Sequence, residues 1–439
     1  MDQIIPSLAE LLAPLAPAFR QEVYPVFCRT VAAWIACVGT RTISRVWETT
    51  GRSDTEHHAS AFRLFSQAGW NWDEVMRLML VALLKAFVPG TRVWVVIDDT
   101  LCHKRGAKVA FGGIFLDAVL STRKHKTFRF GNNWVMMGLV VSMPGRRDRP
   151  FCVPLLWRVY EKQGKKPKAG HRTKVDLAAE MLRVLSGWLK DREIQVIADS
   201  AYMAKGLLRD RPTNVNALGP VCWKAALMEV RHASDGGMES SKKRLPSLRD
   251  ILAGDAGWPP RSRMFTFNNG VRRRLRVKRL TAFWPTVTGD RPVSVILVRD
   301  PSGKWRDEAL LSTNLMMGDE EMVVGYCNRW CVEVAFAEAK QQLGFHDPRV
   351  RKKESVERAA PMAWFTGALV LLWHANHGDE HPPARRRQPW YDKKVITFSD
   401  MLSTCRLALW ANWRSAGSGD KAPLTAREEW LFEYLATAA

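Results

Sequence analysis

Acidic residues are the scarce charge in this sequence: 44 Asp and Glu stand against 66 Lys and Arg, a formal net charge of +22 over 439 residues. An excess of that size repels itself unless a polyanion is bound, so nucleic acid is the expected partner class. A merely solvated basic surface is the competing reading. Paired cysteines are also missing. Eight Cys are scattered along the chain without one Cys-x-x-Cys, which speaks against a zinc ribbon or a thioredoxin-type motif. They are expected to be reduced and mostly buried, as suits the cytoplasm. No long apolar run is present. The most apolar stretch, 359–375, is interrupted by Pro361, Thr366 and Gly367 and is short for a membrane span, so a buried helix is expected and no membrane. The start, Met1-Asp2-Gln3, lacks the basic region of a signal peptide. Neither repeats nor low-complexity tracts are visible. The 46% hydrophobic content is that of a folded protein.

What is there falls into segments. Residues 1–90 carry helical spacing, through Leu8, Leu11, Leu12 and Leu15 and again through Val75, Leu78 and Leu83. Around Gly51 two short helical patterns meet, with Arg41, Arg45 and Arg63 nearby. That arrangement fits a helix-turn-helix or an ordinary helical hairpin equally well. From 91 to 225 the texture is α/β. Val93 to Ile97 is a continuous apolar run that reads as a buried strand ending in acid at Asp98-Asp99. Trp134 to Met143 and Phe151 to Tyr160 read as a hairpin, Thr173 to Leu189 as a helix, and Ile194 to Ala198 as another strand ending in acid, at Asp199.

Residues 226–311 look like a β-rich insertion. Its strand 271–280 alternates, placing Arg272, Arg274, Arg276 and Lys278 on one face. Four cations in a row suit a strand that tracks DNA, although basic edges also deter aggregation. Residues 312–378 resume the α/β part with helices over 319–343 and 355–376, and 379–439 form a C-terminal helical region. The basic loop from Glu161 to Lys174 is equally compatible with DNA contact and with solvation. His103 and Lys104 are expected to be satisfied loop residues. Most of the tryptophans belong to the core, with Trp258, Trp284 and Trp305 in loops or strand ends of the insertion.

The stretch Tyr326 to Lys340 carries the chemistry. At 100° per residue, Tyr326, Arg329, Glu333 and Lys340 share one polar stripe. Val332, Phe336, Ala339 and Leu343 make an apolar stripe beside it, and Glu338 faces away. With Asp98 and Asp199, Glu333 completes an all-oxygen set. Such a set suits Mg²⁺ or Mn²⁺ better than zinc. Two ions about 3.5–4 Å apart can activate an attacking oxygen and stabilise a leaving one in phosphoryl transfer. Of the adjacent acids, Asp98 is the expected first metal ligand. Asp99, where the strand departs, is expected to bond local backbone amides as turn aspartates do.

Tyr326-x2-Arg329-x3-Glu333-x6-Lys340 resembles the Y-R-E-K signature of bacterial insertion-sequence transposases of the DDE type. Asp98-Asp99-Thr100 is similar to that group's first-aspartate strand end. Asp199-Ser200-Ala201-Tyr202 resembles its second-aspartate motif in loose form, with Tyr202 one position early. The likeness runs roughly from 41 to 410 and includes Asn328-Arg329-Trp330 and Pro389-Trp390-Tyr391. The resemblance implies an RNase H-like α/β catalytic domain with a β-rich insertion, flanked by helical regions. It also implies catalytic and metal-binding roles for Asp98, Asp199 and Glu333, and DNA contacts by Tyr326, Arg329 and Lys340. The implied partners are terminal inverted repeats and target DNA, bound by a homodimer in a cytoplasmic, nucleoid-associated setting. The implied reaction is cut-and-paste movement using two Mg²⁺ ions, with Mn²⁺ as a substitute. Two alternatives stand beside it: a retired transposase that only regulates, and an RNase H-like nuclease that cleaves without joining.

Overall fold

A computed structural model describes the chain except for residues 1–3, 53–55, 145, 165–169, 233, 235–236, 260, 269, 382–389, 391–392, 394, 417–424 and 439. Lys165, Lys166 and Lys168 of the basic loop, and Pro389 and Tyr391 of the late motif, therefore lie outside the described residues.

The N-terminal part is helical: α1 (Pro6–Leu12), a 3₁₀ turn (Ala13–Ala18), α2 (Val23–Ala36), α3 (Ile43–Thr49), α4 (Ala59–Ser66) and α5 (Trp72–Phe87). Thr42 caps α3 through its side chain, and Gly51 follows it at φ +65°, a left-handed position that glycine takes without a Cβ clash. Of the three arginines near this hairpin, Arg41 is interior. It is 1% exposed and donates to the carbonyls of Trp34 and Gly39.

The sheet begins with β1 (Arg92–His103), β2 (Gly113–Leu116), β3 (Phe128–Met143) and β4 (Arg146–Tyr160). Next come α6 (Lys174–Trp188), β5 (Glu193–Ala198), α7 (Lys205–Leu208) and β6 (Val215–Pro220). Thr173 and Asp176 form a capping box that starts α6 at Lys174, the last residue of the basic loop. β1 pairs antiparallel with β3 and parallel with β5, and β5 pairs parallel with β6. With β4 on the other side of β3, the order β4-β3-β1-β5-β6 is consistent with an RNase H-like core.

The segment expected to be an insertion supplies β7 (Met228–His232), β8 (Met238–Arg244), α8 (Leu248–Ala253), β9 (Arg263–Thr266), β10 (Arg272–Phe283), α9 (Pro285–Thr288), β11 (Pro292–Arg299) and β12 (Glu308–Ser312). These strands prolong the first sheet, because β12 pairs antiparallel with β6. The result is one mixed sheet of 12 strands. A short polar strand such as β8, with sequence MESSKKR, carries no apolar alternation to announce it.

The chain ends in helices α10 (Asp319–Cys327), α11 (Trp330–Gln342), α12 (Lys353–Ala359), α13 (Met362–His377), α14 (Phe398–Ala416) and α15 (Ala426–Ala436). Two expected single helices are therefore divided. The second breaks at Ala360-Pro361, where proline lacks the N–H a helix interior needs. The apolar stretch becomes α13, buried along Met362–Trp373 against β4, α5, α2 and α14. No helix among the described residues is long and apolar enough to cross a membrane.

Candidate active site

The register of two strands makes the site. The last parallel pair between β1 and β5 is Ile97 with Ala198. Asp98 and Asp199 are the next residue on each strand, so both carboxylates emerge side by side where the parallel ladder stops. β1 itself does not stop there, contrary to the expected strand end. It stays paired with β3 through Asp98–Met136 and Asp99–Val135 as far as His103–Gly131. Both aspartates are thus held in a ladder, and alternation sends them to opposite faces.

On one face, Asp98 is partly buried. One carboxylate oxygen accepts the Asp99 N–H at 2.8 Å, and the other accepts the Arg329 guanidinium at 2.7 Å. The same guanidinium nitrogen lies 3.4 Å from Glu333 on α11. Burial pushes the Asp98 carboxyl up to about 7; the Asp99 amide and Arg329 oppose the shift, while Glu333 and Asp199 add to it. Asp199 is locked by its own turn, accepting the N–H groups of Ala201 at 2.9 Å and Tyr202 at 3.3 Å.

On the other face, Asp99 does not bond local amides as a turn aspartate would. It accepts the Tyr202 hydroxyl at 3.0 Å and the Lys174 ammonium at 2.5 Å. The local amide bond belongs to Asp98 instead. The reason is that β1 continues, so Asp99 is a mid-strand residue with its own backbone already paired. Sequence reading missed Lys174 and Tyr202 as partners of Asp99. Tyr202 had a signal in the loose second-aspartate motif, whereas Lys174 was hidden within the basic loop.

Tyr326 to Lys340 is not one helix. Residues 327–332 tighten into i→i+3 bonds, Arg329 N–H to Tyr326 O and Val332 N–H to Arg329 O, which separate α10 from α11. Asn268 braces this break through Asn328 at 2.5 Å. Gly325 lets α10 approach β1 closely, since a Cβ there would stand 2.9 Å from the Trp94 ring. Arg329 and Glu333 remain one turn apart, and Arg329 reaches Asp98. Tyr326 is half-buried on the preceding helix, with burial and Glu308 and Asp199 raising its phenol pKa against Arg329. Lys340 lies farther along α11, its pKa lowered by burial and supported by the charges of Asp117 and Glu333. The apolar stripe Val332, Phe336, Ala339 and Leu343 is buried as expected. Glu338 faces Cys152 and α13, away from Glu333.

The donor set fits a hard divalent cation in kind, being carboxylate oxygen throughout. It is not closed in geometry: among the described residues no three His, Cys, Asp or Glu side chains stand close enough to hold a metal ion. Arg329 bridges Asp98 and Glu333 in that place.

The basic strand divides. Arg272 and Arg274 are exposed. Arg276 and Lys278 turn to the Trp258 ring, at 5.2 and 5.8 Å from its centre, and donate to the carbonyls of Pro259 and Ile251. The expected row of four free cations is therefore two. Trp305 is likewise covered by Arg273 at 4.3 Å. His103 and Lys104 are satisfied, by Asp117 and by the carbonyls of His346 and Pro348. All described cysteines are free, and only Cys222 and Cys327 are exposed.

No curated protein matches the chain. The family model of the DDE superfamily endonucleases matches residues 19–224, a span that contains both Asp98 and Asp199 and ends before Glu333. Over residues 19–224 the chain is therefore similar to the DDE superfamily endonucleases.

Proposed function

We propose that the chain is a DNA transposase that binds terminal inverted repeats, cleaves the element ends and joins the freed 3′-hydroxyls to target DNA, acting as a homodimer on DNA. The observation that carries the reading is the β1–β5 register, which sets Asp98 beside Asp199, with Glu333 drawn to the same face through Arg329. Asp98, Asp199 and Glu333 are the residues that would hold two Mg²⁺ or Mn²⁺ ions. Such ions supply activation of the attacking oxygen and charge stabilisation of the leaving one.

The chain's own groups have separate tasks. Asp98 and Asp199 are fixed by ladder and turn, so they need no reordering when substrate arrives. Arg329 bridges Asp98 and Glu333 in the free protein and would be released to a DNA phosphate were the carboxylates to hold cations. The Tyr326 hydroxyl and Lys340 hold neighbouring phosphates. Lys174 and Tyr202 act on Asp99 from behind the strand and keep β1 in register. The 1–90, 226–311 and 379–439 segments serve DNA binding and assembly around the catalytic parts, 91–225 and 312–378.

The test incubates purified protein with duplexes made from the DNA flanking its gene, with Mg²⁺, Mn²⁺ or EDTA. Cleavage at the element end and a joined product, both dependent on metal, are expected. Cleavage that persists in EDTA overturns the metal assignment. Metal-dependent cleavage without joined product identifies a nuclease, and end binding without cleavage identifies a regulator.

A further inference from the structure

A loop far from the carboxylates is built more firmly than its exposure explains. Residues 117–127 connect β2 to β3. Asp117, 3% exposed, accepts the N–H groups of Val119 and Leu120 at 3.1 Å each, and its own N–H donates to the Thr127 carbonyl. Thr127 N–H donates to the Ser121 hydroxyl, and His125 N–H to Thr122. Asp117 also meets His103 at 2.6 Å, which ties the loop to the end of β1. This order displays apolar surface outward: Val119 is 79% exposed and Leu120 48%. Beside them, Arg123, Lys124, Lys126 and Arg129 are exposed, and among the described residues no carboxylate pairs with them. The one acid of the segment is the buried Asp117.

We propose that this loop is a wedge for duplex DNA, with Val119 and Leu120 entering between base steps and the four cations holding the flanking phosphates. The inference rests on the DNA-processing reading above. Ordered aliphatic side chains ringed by cations are what base-step insertion requires: apolar groups unstack the bases and the backbone charges hold the bent duplex. Charge complementarity selects DNA over a second copy of this chain, because self-association through the loop would bring eight like charges together with no acids between them. From Asp98 to His103 the strand runs roughly 17 Å at about 3.4 Å per residue. The loop is tied to the far end of that strand through His103, so the wedge would act away from the cut. Pyrimidine–purine steps there would open most readily.

The test uses a mixed-sequence duplex carrying 2-aminopurine in place of adenine at one TpA step, at low salt in EDTA, so that no cleavage occurs. Binding of the full chain should raise the 2-aminopurine fluorescence severalfold. The exposed-site double variant Val119→Ala/Leu120→Ala should bind the same duplex within about threefold, since phosphate contacts dominate affinity, but give no rise. Arg123→Gln/Lys124→Gln/Lys126→Gln should flatten the salt dependence of binding by about 2–3 units in the log–log slope. Binding without a rise, or a rise that survives the double variant, overturns the wedge. So does a dimer without DNA that the double variant converts to monomer, which would make the patch an interface between copies. A chain that unstacks DNA but never cleaves it keeps the wedge and removes the catalytic reading. A chain that cleaves without unstacking does the reverse, and failure to bind duplex DNA removes both.

Discussion

Two parts of the same sheet gather like charges, and they compensate them in opposite ways. Where β1 and β5 end their pairing, Asp98 and Asp199 emerge together, one guanidinium links Asp98 to Glu333, and partial burial pushes the Asp98 carboxyl up to about 7. On β10, four cations alternate along the strand, yet Arg276 and Lys278 are quieted by the Trp258 ring and by backbone carbonyls. The first region sets one guanidinium against two carboxylates, while half of the second is structural. Charge density in a sequence is therefore weaker information than the company each charge keeps once folded. An under-compensated cluster is the better pointer to chemistry.

The largest expected effect tests the first region. Asp98→Asn should reduce metal-dependent cleavage to background while duplex binding persists, as should Glu333→Gln. Tyr202→Phe should lower cleavage about 10–100-fold, the usual cost of losing a partner that orients a site from behind. Asp99→Asn should resemble Tyr202→Phe rather than Asp98→Asn. Cleavage rates of the four variants, each checked for folding by circular dichroism, decide this. If Asp99→Asn abolishes cleavage and Asp98→Asn only weakens it, the acids exchange roles.

Next in size is a buried acid in neither charged region. Glu338 has its carboxyl raised from 4.5 to about 7 by burial, against the opposing charge of Arg149. A raised acid is protonated in the folded state while its unfolded counterpart ionises, so folding loses stability as pH rises through the interval from 4.5 to about 7 and regains it below. Glu338→Gln removes that titration. It should stabilise the protein at pH 8 by a few kcal/mol, at roughly 1.4 kcal/mol per pKa unit, with the gain vanishing by pH 4. Denaturant unfolding at the two pH values measures it, and cleavage should be unchanged. An equal gain at both pH values would assign the effect to packing.

The smallest effect sharpens the second region. Arg272→Ala/Arg274→Ala should flatten the salt dependence of duplex binding by about 2 units in the log–log slope, at about 0.9 per phosphate contact. Arg276→Ala/Lys278→Ala should leave the slope unchanged and lower the melting temperature, because those side chains cover Trp258. Fluorescence anisotropy over a salt series distinguishes the pairs. A slope that falls equally for both would restore the row of four.

Much of this was legible in the sequence. The apolar run before Asp98 made a buried strand, and the helical spacing from Thr173 to Leu189 gave α6. The stripe Val332, Phe336, Ala339 and Leu343 gave the buried side of α11. Each is a local pattern in which side-chain chemistry and backbone period agree. The spacing of Tyr326, Arg329, Glu333 and Lys340 likewise marked the stretch that meets Asp98. The tertiary structure alone decided the rest. That β1 continues past its acids depends on β3 offering a partner through Gly131, and that Lys174 serves Asp99 depends on where α6 packs. The break at Asn328 is braced by Asn268, 60 residues away, and the fate of Arg276 and Lys278 by a tryptophan on another segment. Periodicity reports what a residue can do within its own element. Which charge meets which is set by contacts distant in sequence, and no local pattern encodes them.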